Sequence, residues 1–268
     1  MAEHLTVLVT GASSGIGASV ARIFVERGHR VFGTSRNPDT VADRISGVQY
    51  LQLDQTDKAS IADCVAQAGA VDVLVNNAGE SQIGALEDVS MEDFEKLFVT
   101  NVFGPVALTK AVLPGMRERR RGSIVMVGSM AGTLHVPFRS TYSAAKSALH
   151  TVADCLRQEV APFGIVVSTV EPGVIATGIE TRRNRVVSED SAYRDAFRTV
   201  DAAMAAREQH GMATDDLAQL VVDVALNPNP KPLYAKGSNA PLIMAAQRLL
   251  PARLFLGFLA RMHGLKVR

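Results

Sequence analysis

The sequence predicts an α/β protein with one domain over residues 1–268, a doubly wound, mostly parallel sheet of seven strands, and helices on both faces. Short apolar runs alternate with helical patterns from the N-terminus onward, as in parallel sheets joined by crossover helices. The first apolar run leads into a glycine-rich octapeptide, TGASSGIG, which a helical pattern follows. A chain of 268 residues with 47% hydrophobic residues suffices for one large domain with a substantial core.

The octapeptide at residues 10–17 has the features of a phosphate-binding turn. Gly11 lets the chain leave the strand sharply, Gly15 lets the backbone approach a pyrophosphate, and Gly17 lets the next helix pack closely on the strand. The free N–H groups and the positive dipole end of that helix would face the anion. The spacing Gly-x-x-x-Gly-x-Gly also occurs in ordinary glycine-rich turns, but its place between strand and helix favours a nucleotide site.

Seven short apolar runs, most of them bounded by Gly, Asp, Asn or Pro, predict the strands. In chain order they are residues 5–9, 30–34, 48–53, 71–75, 123–128, 165–170 and 232–234. Segments with helical periodicity follow them, at residues 18–27, 40–45, 60–68, 90–98, 102–118, 140–161 and 214–226. Ser90 over Asp93 and the sequence Thr214-Asp215-Asp216 predict helix N-caps.

Two segments go beyond this alternating pattern. Residues 174–212 are charged and poorly periodic except at 192–207, and a segment of this length between core elements is typical of a substrate lid. Residues 240–268 form a helical extension that Pro251 divides in two. In its second half Leu254, Phe258 and Met262, flanked by Phe255 and Leu259, predict an apolar face. We expect this face to pack beside the cleft under the lid; a subunit contact and a membrane surface are the alternatives.

Composition excludes several classes of function. A net charge of +1 gives no electrostatic reason for nucleic-acid binding or for attachment to an anionic membrane. We recognise neither a signal peptide nor an apolar run long enough to cross a membrane. The two cysteines, Cys64 and Cys155, lack metal-type spacing and indicate reduced core thiols. The sequence therefore predicts a cytoplasmic protein that binds small molecules and holds no metal.

A group of polar residues predicts proton-transfer chemistry at the carboxyl edge of the sheet. Tyr142 and Lys146 are four residues apart on one helix face, and Ser129 ends a neighbouring strand. A phenol with a pKa near 10 is a poor base at neutral pH, but a neighbouring ammonium stabilises the phenolate. Ser129 can hydrogen-bond a substrate oxygen on which charge develops. Tyr-x-x-x-Lys alone also occurs as a solvent-facing pair on amphipathic helices, so the other motifs must distinguish a catalytic pair from a solvent-facing one.

Taken together, the motifs resemble those of the short-chain dehydrogenase/reductase family in its single-domain form. They are the turn at 10–17, Asn-Asn-Ala-Gly at 76–79, Ser129 thirteen residues before Tyr142, Tyr-x-x-x-Lys at 142–146, and Pro172-Gly173 with Thr177. The resemblance implies a Rossmann fold and an oxidoreductase that interconverts a ketone or aldehyde and an alcohol. It is nearest to the hydroxysteroid and retinol dehydrogenase branch, which suggests a bulky, largely apolar substrate.

The resemblance also assigns roles to four catalytic positions. Tyr142 would be the general acid in reduction and the base in oxidation, and Lys146 would lower its pKa and bind the nicotinamide ribose. Ser129 would orient the substrate carbonyl. Asn101 matches the position that holds a water in the family's proton relay to Lys146, although it is also a plausible helix cap.

A larger set matches the family's cofactor contacts. Asp54 would contact adenine, Asn76, Ala78 and Gly79 would line the adenosine ribose, and Val174 and Thr177 would touch the carboxamide and phosphate. With Tyr142 and Lys146, the full set is Gly11, Ser13, Ser14, Gly15, Ile16, Gly17, Ser35, Arg36, Asp54, Asn76, Ala78, Gly79, Pro172, Gly173, Val174 and Thr177.

The end of the second strand favours NADP(H) over NAD(H). An acidic residue there would accept the ribose hydroxyls of NAD and repel a 2′-phosphate, but the first acid is Asp39. Arg36 can pair with a phosphate, and Ser13 and Ser35 can donate hydrogen bonds to it. NAD(H) stays possible, because Ser14 stands where many NADP-dependent relatives carry Lys or Arg and Arg36 could stack on adenine instead.

We therefore expect an NADP(H)-dependent carbonyl reductase, with an NAD-dependent alcohol or hydroxysteroid dehydrogenase and a non-catalytic nucleotide sensor as alternatives. Two long helices, 102–118 and 140–161, match those that pair about a two-fold axis in the family, so we expect a homodimer or homotetramer. His135 is interpreted as a polar pocket wall. Three lid arginines, Arg182, Arg183 and Arg185, are interpreted as solvated charges rather than as an anion site.

Overall fold

The computed structural model describes residues 4–175 and 182–266. The strands are β1 Thr6–Val9, β2 Arg30–Ser35, β3 Val48–Gln52, β4 Val73–Asn76, β5 Gln82–Gly84, β6 Gly122–Val127, β7 Ile165–Pro172, β8 Asn184–Val186 and β9 Leu233–Lys236. The helices are α1 Gly15–Glu26, α2 Lys58–Ala68, α3 Met91–Phe98, α4 Gly104–Arg119, α5 Met130–Leu134, α6 Ser140–Val160, α7 Arg194–Glu208, α8 Thr214–Leu226, α9 Ala240–Leu249 and α10 Ala252–Met262.

Seven of these strands form the main sheet, in the order β3-β2-β1-β4-β6-β7-β9, and every pair within it is parallel. The side chains of β1 show why helices cover both faces: Val7 and Val9 pack in one buried cluster and Leu8 packs in another on the opposite face. The strand order reverses between β1 and β4, which is where ligands bind in open α/β sheets. The predicted doubly wound α/β fold is confirmed.

Two predicted helix boundaries are wrong. Residues 40–45 are not helical; instead Pro38–Thr40 forms a single 3₁₀ turn, with the Asn37 side chain accepting a hydrogen bond from the Asp39 N–H at 3.2 Å. Proline and an Asx-type cap favour a tight turn over a longer helix here. The predicted break between α3 and α4 is also wrong, because Val99–Phe103 is a π-helical segment that joins the two helices. Ser90 caps α3 as predicted, whereas α8 has Ala213 as its N-cap residue.

In the described part of the predicted lid the structure has the helix α7 and also a short strand, β8, that the sequence did not indicate. The helix α7 lies close to its predicted place, and β8 pairs in parallel with β5 in a separate two-stranded sheet. Each of these strands has three residues, too few for a periodic pattern. Their pairing joins the lid to the loop after β4.

The C-terminal extension divides at Pro251 as predicted, but α10 buries the flank of the predicted apolar face rather than its centre. Phe255 and Leu259 are buried with Met130 and Leu134 of α5, whereas Leu254 and Phe258 are 60% and 45% exposed. The four-residue spacing used for the prediction drifts around a helix with 3.6 residues per turn. The extension therefore packs on the catalytic side of the domain.

Two expectations drawn from composition, on membrane-crossing runs and on the cysteines, need correction. Among the described residues, Met91–Arg119 is a helical run long and apolar enough to cross a membrane by length and composition. Here Leu97, Leu108 and Met116 of this run are buried in the protein, a pattern that core helices also give. Of the two cysteines, Cys64 is buried as predicted, but Cys155 is exposed.

Candidate active site

A cleft of about 1510 Å³ lies along the carboxyl ends of the parallel strands, between the glycine-rich turn and α10. Most of the residues predicted from the sequence to bind cofactor or substrate line this cleft. They are Gly11, Ser13, Ser14, Gly15, Ile16, Ser35, Arg36, Asp54, Ala78, Gly79, Ser129, Tyr142, Lys146, Pro172, Gly173 and Val174. The fold thus brings residues from segments that are far apart in the sequence together along one cleft.

Three predicted cofactor residues are not part of the described lining. The side chain of Asn76 is buried on the side away from the cleft, where its Nδ2 donates to Thr109 Oγ1 of α4 at 3.0 Å. Gly17 has a packing role, because an added Cβ would lie 2.4 Å from both Asn77 Nδ2 and the Gly11 carbonyl oxygen. Thr177 lies outside the described residues.

Asn77, which belongs to the 76–79 motif but not to the predicted cofactor contacts, lines the cleft and holds the glycine-rich turn. Its Nδ2 donates to the carbonyl oxygen of Thr10 at 2.9 Å, and its N–H donates to Thr10 Oγ1 at 2.9 Å. Strand β4 ends at Asn76, so successive side chains point to opposite faces there and Asn77 falls on the cleft side.

The glycine-rich turn fits a phosphate group. Gly11 and Gly15 adopt φ values of +66° and +57°, which side chains rarely allow. Ser14 is the N-cap residue of α1, and its side chain makes no capping hydrogen bond with the N–H groups of the first turn. These donors and the helix dipole are available to an anion in the cleft.

The three catalytic candidates come from two neighbouring elements. Ser129 caps α5, with its Oγ accepting from the Ala131 N–H at 3.2 Å. Tyr142 and Lys146 lie one turn apart near the start of α6, and both are buried. Lys146 Nζ donates to the carbonyl oxygen of Val127 at 3.0 Å, which fixes the ammonium beneath the phenol.

The surroundings of Tyr142 prepare it for proton transfer. Burial alone would raise the pKa of this phenol, but the positive charges of Lys146 and Arg139, a hydrogen bond from Ser129 and the charge of Arg183 together lower the pKa below its ordinary value. A phenol with a lowered pKa is a better base and still an effective acid near neutral pH.

Asn101 lies within the π-helical segment rather than at a helix cap. Its Oδ1 accepts from the Glu80 N–H at 2.8 Å and its Nδ2 donates to the Glu80 carbonyl oxygen at 2.9 Å. A Cβ built on Gly79 would lie 3.0 Å from Asn101 Oδ1 and 3.7 Å from Lys146 Nζ, so these two polar groups converge beside Gly79.

Of the three lid arginines singled out in the sequence, only Arg183 departs from its predicted solvated state. Arg183 is buried: its Nε donates to Ser81 Oγ at 3.2 Å and its Nη2 pairs with Glu208. Arg182 is exposed but donates to Ser14 Oγ at 3.2 Å, across the cofactor end of the cleft. Arg185 pairs with Asp201 at 2.8 Å. The predicted pocket wall His135 is exposed and does not line the cleft.

Known protein families include one whose sequence pattern matches this chain. The model of the short chain dehydrogenase family matches residues 5–187. A 3-ketodihydrosphingosine reductase of Bacteroides thetaiotaomicron is 37% identical over 230 residues, which is 84% of each chain. Retinol dehydrogenase 8 of Bos taurus is 35% identical over 248 residues, covering 84% of this chain and 79% of the relative.

Solved structures give the same result. A short-chain dehydrogenase from Streptomyces avermitilis has a TM-score of 0.83 at 33% identity, covering 96% of this chain and 97% of that structure. The closed form of a serine dehydrogenase complexed with NADP⁺ has a TM-score of 0.73 at 28% identity, covering 87% and 95%. Together with the glycine-rich turn and the Ser129, Tyr142 and Lys146 arrangement, these similarities show that the chain belongs to the short-chain dehydrogenase/reductase family of nicotinamide-dependent oxidoreductases.

Proposed function

We propose that this protein is an NADP(H)-dependent carbonyl reductase that also runs in reverse as an alcohol dehydrogenase. The observation that carries this proposal is Tyr142, a buried phenol with a lowered pKa between Ser129 and Lys146, in the same cleft as an uncapped helix N-terminus. The test is NADPH oxidation measured across a panel of ketones, aldehydes and keto acids. NADPH binding without oxidation of any of them would contradict the proposal.

In the reductive direction the chain's own groups manage the proton and the developing charge. The bound nicotinamide supplies the hydride. The substrate carbonyl oxygen accepts hydrogen bonds from Ser129 Oγ and Tyr142 Oη, and the Tyr142 proton moves to that oxygen as the C–O bond becomes single. The Lys146 ammonium, held by the Val127 carbonyl, stabilises the phenolate that is left. Asn101 stands beside Lys146 at the start of the route by which Tyr142 regains its proton.

The preference for NADP(H) follows from charge at the adenosine end. Strand β2 is followed by Arg36 and Asn37, which line the cleft, and Arg182 lies against Ser14 on the other side of the turn. Arg182 thus supplies a cation at the position where Ser14 itself departs from the pattern of NADP-dependent relatives. The serine dehydrogenase with bound NADP⁺ supports the same choice.

Replacing Arg36 by aspartate should raise the Michaelis constant for NADPH by roughly tenfold or more, with a much smaller effect for NADH, because the new carboxylate repels a 2′-phosphate but can accept ribose hydroxyls. Steady-state kinetics with both cofactors measure this. Arg253→Asp makes the same charge change on an exposed part of α10 and should leave both constants unchanged. Equal effects of Arg36→Asp on the two cofactors would contradict the NADP(H) assignment.

The substrate end of the cleft supports a bulky, partly apolar substrate. Leu134 and Val136 line it from the segment after Ser129, and Ile243, Leu259 and Met262 line it from the C-terminal extension. The 3-ketodihydrosphingosine reductase and the retinol dehydrogenase among the relatives are named for substrates of this kind. We infer that the extension encloses the apolar part of the substrate.

Leu259→Ala should lower kcat/KM for bulky ketones by on the order of tenfold relative to small ones, because it removes a fully covered wall of the cleft. The control is Leu254→Ala on the same helix, whose side chain is 60% exposed and should leave the ratio unchanged. If both variants keep the wild-type ratio, the extension does not shape the pocket.

We also propose that two copies of the chain pair through α4 and α6. Phe103, the N-cap residue of α4, is 60% exposed although its ring packs edge-on against Phe98, so this surface presents a large aromatic side chain to solvent. Light scattering at micromolar concentration should give a mass of two or four chains of 28.6 kDa. A mass of one chain would contradict the proposal.

A further inference from the structure

One cation in the cleft has a buried donor that its effect on the pKa of Tyr142 does not use. Arg139 is only 5% exposed and lines the cleft three residues before Tyr142. The carbon at the centre of its guanidinium lies 4.0 Å from the centre of the Tyr142 ring. Its Nε has no hydrogen-bond partner, and no ion pair joins it to a carboxylate in the described ranges. A buried, incompletely paired guanidinium is costly, so its presence beside the reacting group calls for a ligand.

A second arginine extends this positive region. The side chain of Arg183 is 2% exposed, and its Nη1 makes no hydrogen bond to the described residues although Asp201 Oδ1 lies 3.9 Å away. The carboxylate of Glu208 acts on Arg139 electrostatically but is itself paired with Arg183. Arg139 and Arg183 thus both line the cleft with unused donors.

The remaining charges around Arg139 do not neutralise it. Burial lowers the pKa of Arg139 to about 10, so the side chain is still protonated at neutral pH. Burial also lowers the pKa of His263, an imidazole close enough to feel the charge of Arg139, so His263 adds no full charge there. Arg207 lines the same region and donates to the Met262 carbonyl oxygen. The substrate end of the cleft therefore favours an anion.

The loop that carries Arg139 is held in a demanding conformation. His135 and Phe138 have φ values of +53° and +60°, which are strained for these residues. The Phe138 carbonyl oxygen accepts from the Gly84 N–H at 2.9 Å, and its ring packs edge-on against Phe197 of the lid helix. The body and the lid both fix this loop, so the Arg139 guanidinium is set before a substrate arrives.

We propose that Arg139, assisted by Arg183, forms a carboxylate subsite, and that the physiological substrate is a keto acid or the corresponding hydroxy acid. This proposal rests on the proposed function and specifies its substrate class. A guanidinium presents a planar set of donors that matches a carboxylate. Because Arg139 lies against the Tyr142 ring, hydrogen bonds from both residues would place the carboxylate roughly one to three carbon atoms from the reacting carbonyl. The apolar walls then receive the rest of the chain.

The test compares Arg139→Gln with wild type on a matched pair of substrates, a medium-chain 3-keto acid and its methyl ester. We expect wild type to prefer the acid, and the variant to lower the acid-to-ester ratio of kcat/KM by on the order of 100-fold. Arg139→Lys keeps the charge and should restore part of that ratio. Arg198→Gln removes a charge from an exposed position of α7 and should leave the ratio unchanged.

Three results would overturn the subsite. Equal losses for acid and ester in Arg139→Gln would mean that Arg139 acts only through the pKa of Tyr142. A wild-type preference for the ester would also contradict it, as would an unchanged ratio in the variant. Retained NADPH binding by each variant shows that it is folded.

A binding measurement separates the subsite from the reductase proposal. Calorimetric titration of the NADP⁺ complex with hexanoate and with hexanamide should show tighter binding of the acid in wild type, and loss of that difference in Arg139→Gln. If this difference appears although no keto compound is reduced, the subsite stands and the reductase function fails. If the keto acid is reduced but acid and amide bind alike, the reductase stands and the subsite fails.

Discussion

Replacing Tyr142 by phenylalanine should slow hydride transfer to a ketone by roughly three orders of magnitude or more, with NADPH affinity little changed. The substitution removes the proton that moves to the carbonyl oxygen but keeps the buried ring, so the fold and the contact with Arg139 are preserved. Single-turnover mixing of the enzyme–NADPH complex with substrate measures the hydride step directly.

The matched control for this experiment is Tyr193→Phe, since Tyr193 is an exposed phenol that hydrogen-bonds Glu87 at 2.7 Å and does not line the cleft. It should turn over at the wild-type rate. Retained turnover in Tyr142→Phe would contradict the assignment of Tyr142 as the proton donor, and the two imidazoles that line the described cleft, His210 and His263, would then be tested next.

Replacing Lys146 by alanine should reduce both turnover and cofactor affinity, because one ammonium serves two tasks: it stabilises the Tyr142 phenolate and lies where the nicotinamide ribose is expected. Among the groups that lower the pKa of Tyr142, the charge of Lys146 acts most strongly. Without it the pKa rises. Alcohol oxidation needs the phenolate. The pH at which the rate of oxidation rises should therefore be higher in the variant than in wild type.

The pH–rate profile of oxidation and a fluorescence titration with NADPH check the two effects separately. Lys110→Ala removes an exposed ammonium from α4 and should alter neither. An unshifted profile in Lys146→Ala would mean that Arg139, rather than Lys146, controls the pKa of Tyr142. An unchanged NADPH affinity would remove the ribose role.

The parts of the fold and site that could be predicted depend on local spacing. Tyr142 and Lys146 are four residues apart, so a helix places them on one face, and the glycine-rich turn places phosphate donors between a strand and a helix. Parallel strands bring their carboxyl ends to one edge, which is why Ser129 could be expected near Tyr142. These inferences need no knowledge of distant contacts.

The wrong predictions concern side chains whose position depends on a contact with a distant part of the sequence or on a shift of one residue along a strand. Asn76 and Asn77 are equivalent by composition, but alternation along β4 sends the first towards α4 and the second towards the turn. Arg183 was expected in solvent, since nothing near it in the sequence indicates that Ser81 and Glu208 enclose it. Burial of a charge is a property of the tertiary fold, and a charged segment gives no local signal of it.

The central claim, that this chain transfers a hydride between NADPH and a carbonyl compound, is tested most directly by isotope transfer. The enzyme is incubated with NADPH carrying deuterium at both C4 positions of the nicotinamide and with a panel of keto compounds, and the products are analysed by mass spectrometry. We expect one deuterium on the new carbinol carbon for each NADPH oxidised, and none with Tyr142→Phe over the same time. Tight NADPH binding with no deuterated alcohol from any compound would contradict the claim and favour a nucleotide-sensing protein on the same fold.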